Sequence, residues 1–409
     1  MMGDEAALRP SATLSPVPLR LTTAGESHGP RLTAILEGIP AGLAIDAAFV
    51  ARELTRRQHG YGRGGRMKIE KDAAVFEGGL RGGRTLGSPI AIGIANADYA
   101  NWEAAMSPLS VDPEAVAARR LTRPRPGHAD LAGGMKFGAR DLRDVLERAS
   151  ARESAARVAA GAVCKLLLRA CGVRIASGVL SLGDVADARS PRSFATLEKV
   201  RDDSPLRACD TSLEPAMVAA VDAAKTRGET LGGSILVGAA GVPAGLGSYV
   251  SWDRKLDGRI GQALLSVPAV KAVEFGSAIE ASRGPGSLAH DEIEAPGNAG
   301  WRRRTNRAGG LEAGVTNGED VIAVVYMKPI STLARGLDSV DLATGEPARS
   351  AYERSDVTAV PACGVIAEAM LAFVLADALL ESTGGDRLED VLERLAALRA
   401  RAGRYGRPP

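Results

Sequence analysis

The stretch LTAILEGIPAGL, residues 32–43, is answered in the second half of the chain by SILVGAAGVPAGL, residues 234–246. In both, an apolar strand-like run (LTAILE 32–37, SILVGAA 234–240) leads into a glycine-proline-glycine turn. A helical segment follows each turn, DAAFVARELTRR at 46–57 and RKLDGRIGQALLSV at 254–267, with apolar residues three or four apart. Glycine-rich turns and further strands come next. In the first half these are RMKIE, AVFEGG and SPIAIGIAN; in the second, AVEFGSAIE and, after a TNG turn, DVIAVVYM. The pattern predicts two pseudo-repeated halves, about 19–120 and 229–345, with a period too long for a solenoid. Between them, 140–169 is rich in alanine, leucine, arginine and glutamate, and Ser150 with Glu153 matches the S-x-x-E capping box. A long helix is therefore expected to begin at Ser150, and two more near 362–381 and 387–402. No linker of disordered composition interrupts the middle, so 19–400 reads as a single large domain of the α+β or α/β class, its helices packed against two sheets. Residues 1–18 read as a loose N-terminal extension.

The totals narrow the function classes. The 409 residues are 45% apolar, enough for a large core, and 51 basic against 49 acidic side chains leave a net charge of +2. Such a chain has no global field for nucleic acid or an anionic membrane. Its most apolar segment, 362–380, is interrupted by Glu368 and Asp377, which argues for a buried helix and against a membrane span. A cytoplasmic location is expected. The cysteines (Cys164, Cys171, Cys209, Cys363) form no CxxC pair and have no histidine at metal-ligand spacing, so no metal site is expected.

Six stretches, most of them rich in arginine or glycine, carry the remaining signal. TAGESHGPRL (23–32) sets Ser27 and His28 between glycines. RRQHGYGRGGRM (56–67) carries Arg56, Arg57, Arg63 and Arg66 with His59. Its GxGxxG match lacks the strand before and helix after that a dinucleotide fold requires. What remains suits bidentate binding of phosphate or carboxylate, or else a solvated basic loop. LTRPRPGHAD (121–130) presents Arg123, Arg125 and His128 from a proline-stiffened turn. LERASARESAARVAAG (146–161) puts Arg148 and Arg152 beside the helix start at Ser150, a ready anion site. NRAGGLEAGVTNG (306–318) permits close backbone approach, and Lys328 stands at a strand end in MKPIST (327–332). YERSDVTAVPACG (352–364) sets Arg354 and Asp356 two apart. Recurrent arginine-glycine loops point to one ligand with several anionic groups, and histidine is the side chain best matched to proton transfer near neutrality.

In this order the motifs TAGESHGPRLTAILEG, RRQHGYGRGGRMKIE, TRPRPGHADLAGGMKFG, LERASARESAARVAAGAV, NRAGGLEAGVTNG, MKPIST and ERSDVTAVPACG closely resemble the chorismate synthase family, over about residues 19–385. The resemblance implies a β-α-β sandwich, a homotetramer, and the 1,4-anti elimination of phosphate from 5-enolpyruvylshikimate 3-phosphate with reduced FMN and no net redox change. It implies substrate contacts from Arg57, Arg63, Arg66, Arg125, Arg152 and Arg354, the first and second also assigned to NADP in some relatives. FMN would be held by Arg148, Ala149, Ser150, Pro268, Ala269, Ala313, Lys328, Pro329, Ile330, Ser331, Thr332 and Arg354. Relatives usually carry an amide side chain at Pro268 and glycine at Ala313, so binding there would rest on backbone. His28 would protonate the departing phosphate, His128 would balance charge on the flavin, Asp356 would act as base, and Ser27 and Ser150 would relay or orient protons.

Two other readings compete. A flavin reductase using NAD(P)H would share the flavin site, but nothing resembles a nicotinamide module, so an external flavin reductase is the expected partner. RNA binding through the Arg-Gly loops is disfavoured by the balanced charge and by only 4% aromatic residues for base stacking.

Overall fold

A computed structural model describes residues 19–64, 71–297, 300–353 and 356–406. The N-terminal extension, the strand expected at RMKIE, Arg66 and Arg354 lie outside the described residues. Two antiparallel sheets carry the fold. The first has four strands in the order Arg20–Ala24, Arg31–Glu37, Ile90–Ala95, Ala74–Gly78; the second has five, Val270–Phe275, Val321–Met327, Gly233–Ala240, Arg174–Leu182, Val185–Ala186. Alternation along each strand gives one face to the interior. In Arg31–Glu37, Leu32, Ala34 and Leu36 are buried; in Gly233–Ala240, Ile235, Val237 and Ala239 join the same continuous core. Between the sheets lie the helices Ala47–Gln58, Ser154–Ala170, Leu256–Leu265 and Val360–Thr383.

The echo that opens the sequence is a structural one. Each Gly-Xaa-Pro-Ala-Gly-Leu turn follows an inner strand and is bolted by a threonine from a short hairpin. Thr85 Oγ1 donates to Pro40 O at 2.6 Å and accepts from Leu43 N at 2.9 Å; Thr316 Oγ1 donates to Pro243 O at 2.7 Å and accepts from Leu246 N at 2.9 Å. From each turn the chain runs through an inner helix to an edge strand, then through that hairpin to a strand between the two. The strand beside Gly233–Ala240 in the place that Arg20–Ala24 holds in the first sheet is Arg174–Leu182, drawn from before residue 229.

Helix Val360–Thr383 is apolar enough to cross a membrane by composition, with a mean hydropathy of 2.0 in its best window. Here it is buried on nearly every side between the sheets, as a helix without a polar face must be. It approaches Ser154–Ala170 so closely that a methyl group on Gly161 would meet Ala369 Cα at 2.7 Å. Its three acidic residues are all engaged, Glu381 near the end with Arg254 and Arg259. Asp377 accepts from Leu19 N and Arg259; Glu368, fully buried, accepts from Arg56, Lys165, Ser177 and Arg207.

Two local expectations change. The long helix does not begin with a capping box at Ser150. Ser150 caps a single 3-10 turn, Ala151–Glu153, and the α-helix starts at Ser154, because the Glu153 carboxylate is taken by Thr23 and Arg157. The strand expected over AVEFGSAIE stops at Phe275, since Gly276 is at φ +55° and Ala278–Ala281 turns helical. The cysteines are free, and burial pushes the Cys164 thiol up to about 12 and the Cys171 thiol to about 11, as expected of inert core residues. No group of side chains fit to hold a metal occurs among the described residues.

Candidate active site

His28 sits in the turn between the first two strands. Gly25, at φ +105°, lets the chain fold back, and Gly29 N donates to Glu26 O at 3.1 Å, which gives Glu26 a backbone role. The imidazole is nearly buried. Its Nδ1 lies 2.9 and 3.0 Å from the two carboxylate oxygens of Glu147, and its own backbone N–H donates to the same carboxylate at 2.7 Å. Glu147 comes from helix Arg143–Ala149 and also accepts from Arg143 at 3.1 Å. Burial pushes Glu147 up, yet the hydrogen bonds and charge of His28, with Arg143, hold it below the usual carboxylate range. Trp102 stacks on the ring at 3.8 Å. Ser150 Oγ donates to Ser27 Oγ at 3.1 Å beside the histidine, and Arg148 reaches back to the carbonyls of Thr23 and Gly25.

The second histidine repeats the device. His128 Nδ1 lies 2.6 Å from Asp130, whose other oxygen accepts from Arg125 Nε at 2.8 Å. Burial raises Asp130, but bonds from His128 and Arg125 outweigh it and hold the carboxyl well below its ordinary value. With Nδ1 donating to Asp130, the Arg125 guanidinium 3.0 Å away is a neighbour of the ring and not its donor. Arg125 Nη1 donates to Thr332 at 2.9 Å, and Ser331 Oγ donates to Gly127 O at 2.8 Å, so the KPIST loop is tied to the histidine turn. Lys328 donates to Ser331 at 2.9 Å and accompanies no carboxylate among the described residues; burial, with nearby Lys271, pushes its ammonium down. Lys328 N donates to Ala269 O at 2.9 Å, which brings Pro268 and Ala269 to the same corner.

The third cluster is cationic. Arg57 and Arg152, both buried, share one carboxylate, Asp72: Arg57 donates at 2.8 Å and Arg152 from the other side. Burial lowers Arg57, and the charges of Arg63 and Arg152 oppose the support of Asp72. Arg57 Nε is buried without a hydrogen-bond partner among the described residues. Arg63 pairs with Asp356 at 3.0 Å, and Gly64 N donates to Asp356 at 2.6 Å. Arg152 N donates to Ser150 Oγ at 3.3 Å, which joins this cluster to His28. Arg56, beside Arg57 in the last turn of helix Ala47–Gln58, turns away into the Glu368 network. Ala313 stands elsewhere. It occupies the two-residue turn of the hairpin Leu311–Thr316 at φ +52°, and Gly314 O accepts from Leu256 N at the start of helix Leu256–Leu265, whereas Pro268 follows that helix's end. Its left-handed conformation is one that glycine adopts without strain.

Asp72, Asp130, Glu147, Arg143 and Trp102 belong to the site and were not singled out from sequence. Asp130 lies within the GHAD motif, two residues from His128, so local spacing could have flagged it; Asp72 and Glu147 meet their partners only through the fold. A separate groove of about 790 Å³ lies on the outer face of the five-stranded sheet, lined by residues such as Ser181, Ser234, Asn306 and Tyr326, and by none of the three clusters.

Residues 19–380 match the family model for chorismate synthase. The chain is 51% identical over 390 residues to the chorismate synthase of Geobacillus thermodenitrificans, covering 95% of this chain and all of that one. It is 54% identical over 381 residues to that of Moorella thermoacetica, covering 93% and 98%. A crystal structure of chorismate synthase superposes with a TM-score of 0.76 at 41% identity, over 95% of this chain and 99% of the other. The chain belongs to the chorismate synthase family.

Proposed function

We propose that the three clusters form one active site using reduced FMN, with the anionic substrate held by Arg57, Arg63, Arg66, Arg125, Arg152 and Arg354. The family's reaction, which is this chain's, is the lyase reaction that closes the shikimate pathway: 5-enolpyruvylshikimate 3-phosphate loses phosphate and a ring hydrogen and becomes chorismate. The observation that carries the site assignment is the buried cationic cluster. Arg57 and Arg152 face one shared carboxylate, with a buried Arg57 N–H left over. A buried donor without a partner costs about 1–3 kcal/mol, and a substrate with one phosphate and two carboxylates supplies what it lacks.

The residues expected at the flavin also fit a phosphorylated ring system. Lys328 offers an ammonium with no carboxylate beside it among the described residues, Ser331 and Thr332 offer hydroxyls, and Ala269 brings backbone to the same corner. FMN, when bound and reduced, supplies transient electron donation to the substrate. The chain does the rest. His28 donates a proton to the leaving phosphate, Ser27 and Ser150 orient that transfer, Asp356 takes up the proton from the ring, and His128, anchored on Asp130, balances negative charge on the cofactor. Arg148 to Ser150, Pro268, Ala269, Lys328 to Thr332 and Arg354 would hold the flavin; Ala313, at the far end of helix Leu256–Leu265 from Pro268, is left out of that set. A homotetramer, a cytoplasmic location and an external flavin reductase complete the proposal.

The experiment separates this reading from a self-reducing enzyme. Under anaerobic conditions with chemically reduced FMN, the protein is expected to turn substrate over; with oxidised FMN and NADPH under air and no reductase, it is expected to be inactive. Full activity in the second condition would contradict the external-reductase reading, and inactivity in the first would contradict the FMN assignment.

A further inference from the structure

We infer that Glu147 is a positioning residue for the proton-donating His28, fixing the tautomer and direction of the ring so that Nε2 alone faces the substrate. The inference rests on the assignment of His28 as the acid. Its ground is geometric. Both Glu147 oxygens are within 3.0 Å of His28 Nδ1, and one of them also takes the His28 backbone N–H, so the carboxylate grips ring and main chain together. The main chain is gripped from the other side as well, since Ser27 N donates to Glu147 O at 3.0 Å and Asn96 Nδ2 donates to the carbonyls of Ser27 and Gly29. Trp102 covers one face of the ring, and is itself held by a bond from its Nε1 to Asp98 and covered by Arg119 at 3.9 Å.

A ring so held has one orientation. A carboxylate only accepts, so Nδ1 must carry a proton toward it, and the atom left for chemistry is Nε2, which makes no hydrogen bond among the described residues. The step then balances simply. The doubly protonated imidazole gives its Nε2 proton to a phosphate oxygen as the C–O bond breaks with its electron pair leaving on that oxygen. His28 ends as the neutral Nδ1–H tautomer, still bonded to an unchanged Glu147 carboxylate, so no reorientation accompanies the transfer.

The charged groups around Glu147 suit this task. Arg143 bonds one of its oxygens and also pairs with Glu353 at 2.8 Å, three residues before Asp356. One arginine therefore connects the segment carrying the proposed base with the carboxylate behind the proposed acid.

The test is Glu147→Gln, which keeps the shape but can present an amide N–H to Nδ1. The expected result is a fall in kcat of about 10- to 100-fold, part of the full worth of a general acid, with the KM for substrate within about threefold of the parent. Nitrogen-15 NMR of the labelled His28 ring is expected to change from a proton fixed on Nδ1 to a mixture of tautomers, a change that loss of packing alone would not produce. Glu147→Asp is expected to restore the Nδ1–H tautomer. If Glu147→Gln keeps parental kcat and a parental tautomer while His28→Ala is impaired, the role of Glu147 is overturned and that of His28 stands. If His28→Ala itself turns over fully, the assignment of His28 falls, and the role of Glu147 with it.

Discussion

Replacing His28 by alanine is expected to lower the rate of chorismate formation about 100- to 10,000-fold, the range over which a positioned proton donor contributes. The leaving phosphate departs with negative charge, and its second pKa of about 6 makes imidazole a well-matched donor. Without His28 the proton must come from water, which the burial of Ser27, His28 and Gly29 keeps scarce. The buried arginines are untouched by the substitution, so the KM for substrate is expected to change far less than kcat. Steady-state turnover with reduced FMN checks this. A variant that keeps full kcat would show that the phosphate leaves unprotonated, or that another group serves it.

The second large effect is on stability. Glu368 lies in the centre of the helical layer, bonded to Arg56 at 2.8 and 2.9 Å, to Lys165 at 2.5 Å, to Ser177 at 2.6 Å and to Arg207 at 3.2 Å. Glu368→Ala would leave Arg56, Lys165 and Arg207 with only Glu53 and the more exposed Asp202 to balance them. Breaking a buried ion pair from one side costs about 3–5 kcal/mol, so urea unfolding is expected to show a loss of that size. A loss under about 1 kcal/mol would contradict the account of this network. Burial pushes Glu368 up, but Arg56, Lys165 and Arg207 outweigh it and hold the carboxyl well below its usual range. A carboxylate depressed in the folded state contributes its stability in full above its unfolded value of about 4.3, and loses it as pH falls through the folded value. The parent and Glu368→Ala are therefore expected to converge in stability under strong acid and to differ most near neutrality.

The network also has a functional side. Arg56 and Arg57 are neighbours at the end of helix Ala47–Gln58, and they point opposite ways: one into the Glu368 cluster, the other to Asp72 and the anion site. Anchoring the first fixes the direction of the second.

Much of this was legible in the sequence because it depends on local chemistry. The two Gly-Pro-Gly turns, the inner helices after them and the strands around them follow from patterns a few residues long, and the arginine-glycine loops announce an anionic ligand. The capping box at Ser150 misled for an equally local reason. The motif was present, but Glu153 found better partners in Thr23, on a strand distant in sequence, and in Arg157, one turn further along the helix. Apart from Asp130, two residues from His128, sequence could not reveal the carboxylates behind the functional groups. Glu147 reads as one acidic residue on an amphipathic helix, and Asp72 as one in a polar turn. Only the sandwich brings Glu147 to His28, and Asp72 to Arg57 and Arg152, because burial of two charged partners together is a property of the folded interior.

The most direct test of the whole account is the stoichiometry of a single reaction followed anaerobically. With 5-enolpyruvylshikimate 3-phosphate and reduced FMN, phosphate and chorismate are expected to appear one for one over many turnovers while the flavin ends reduced, and neither product is expected when FMN is left out. Phosphate release without flavin, or flavin oxidised in proportion to product, would contradict it.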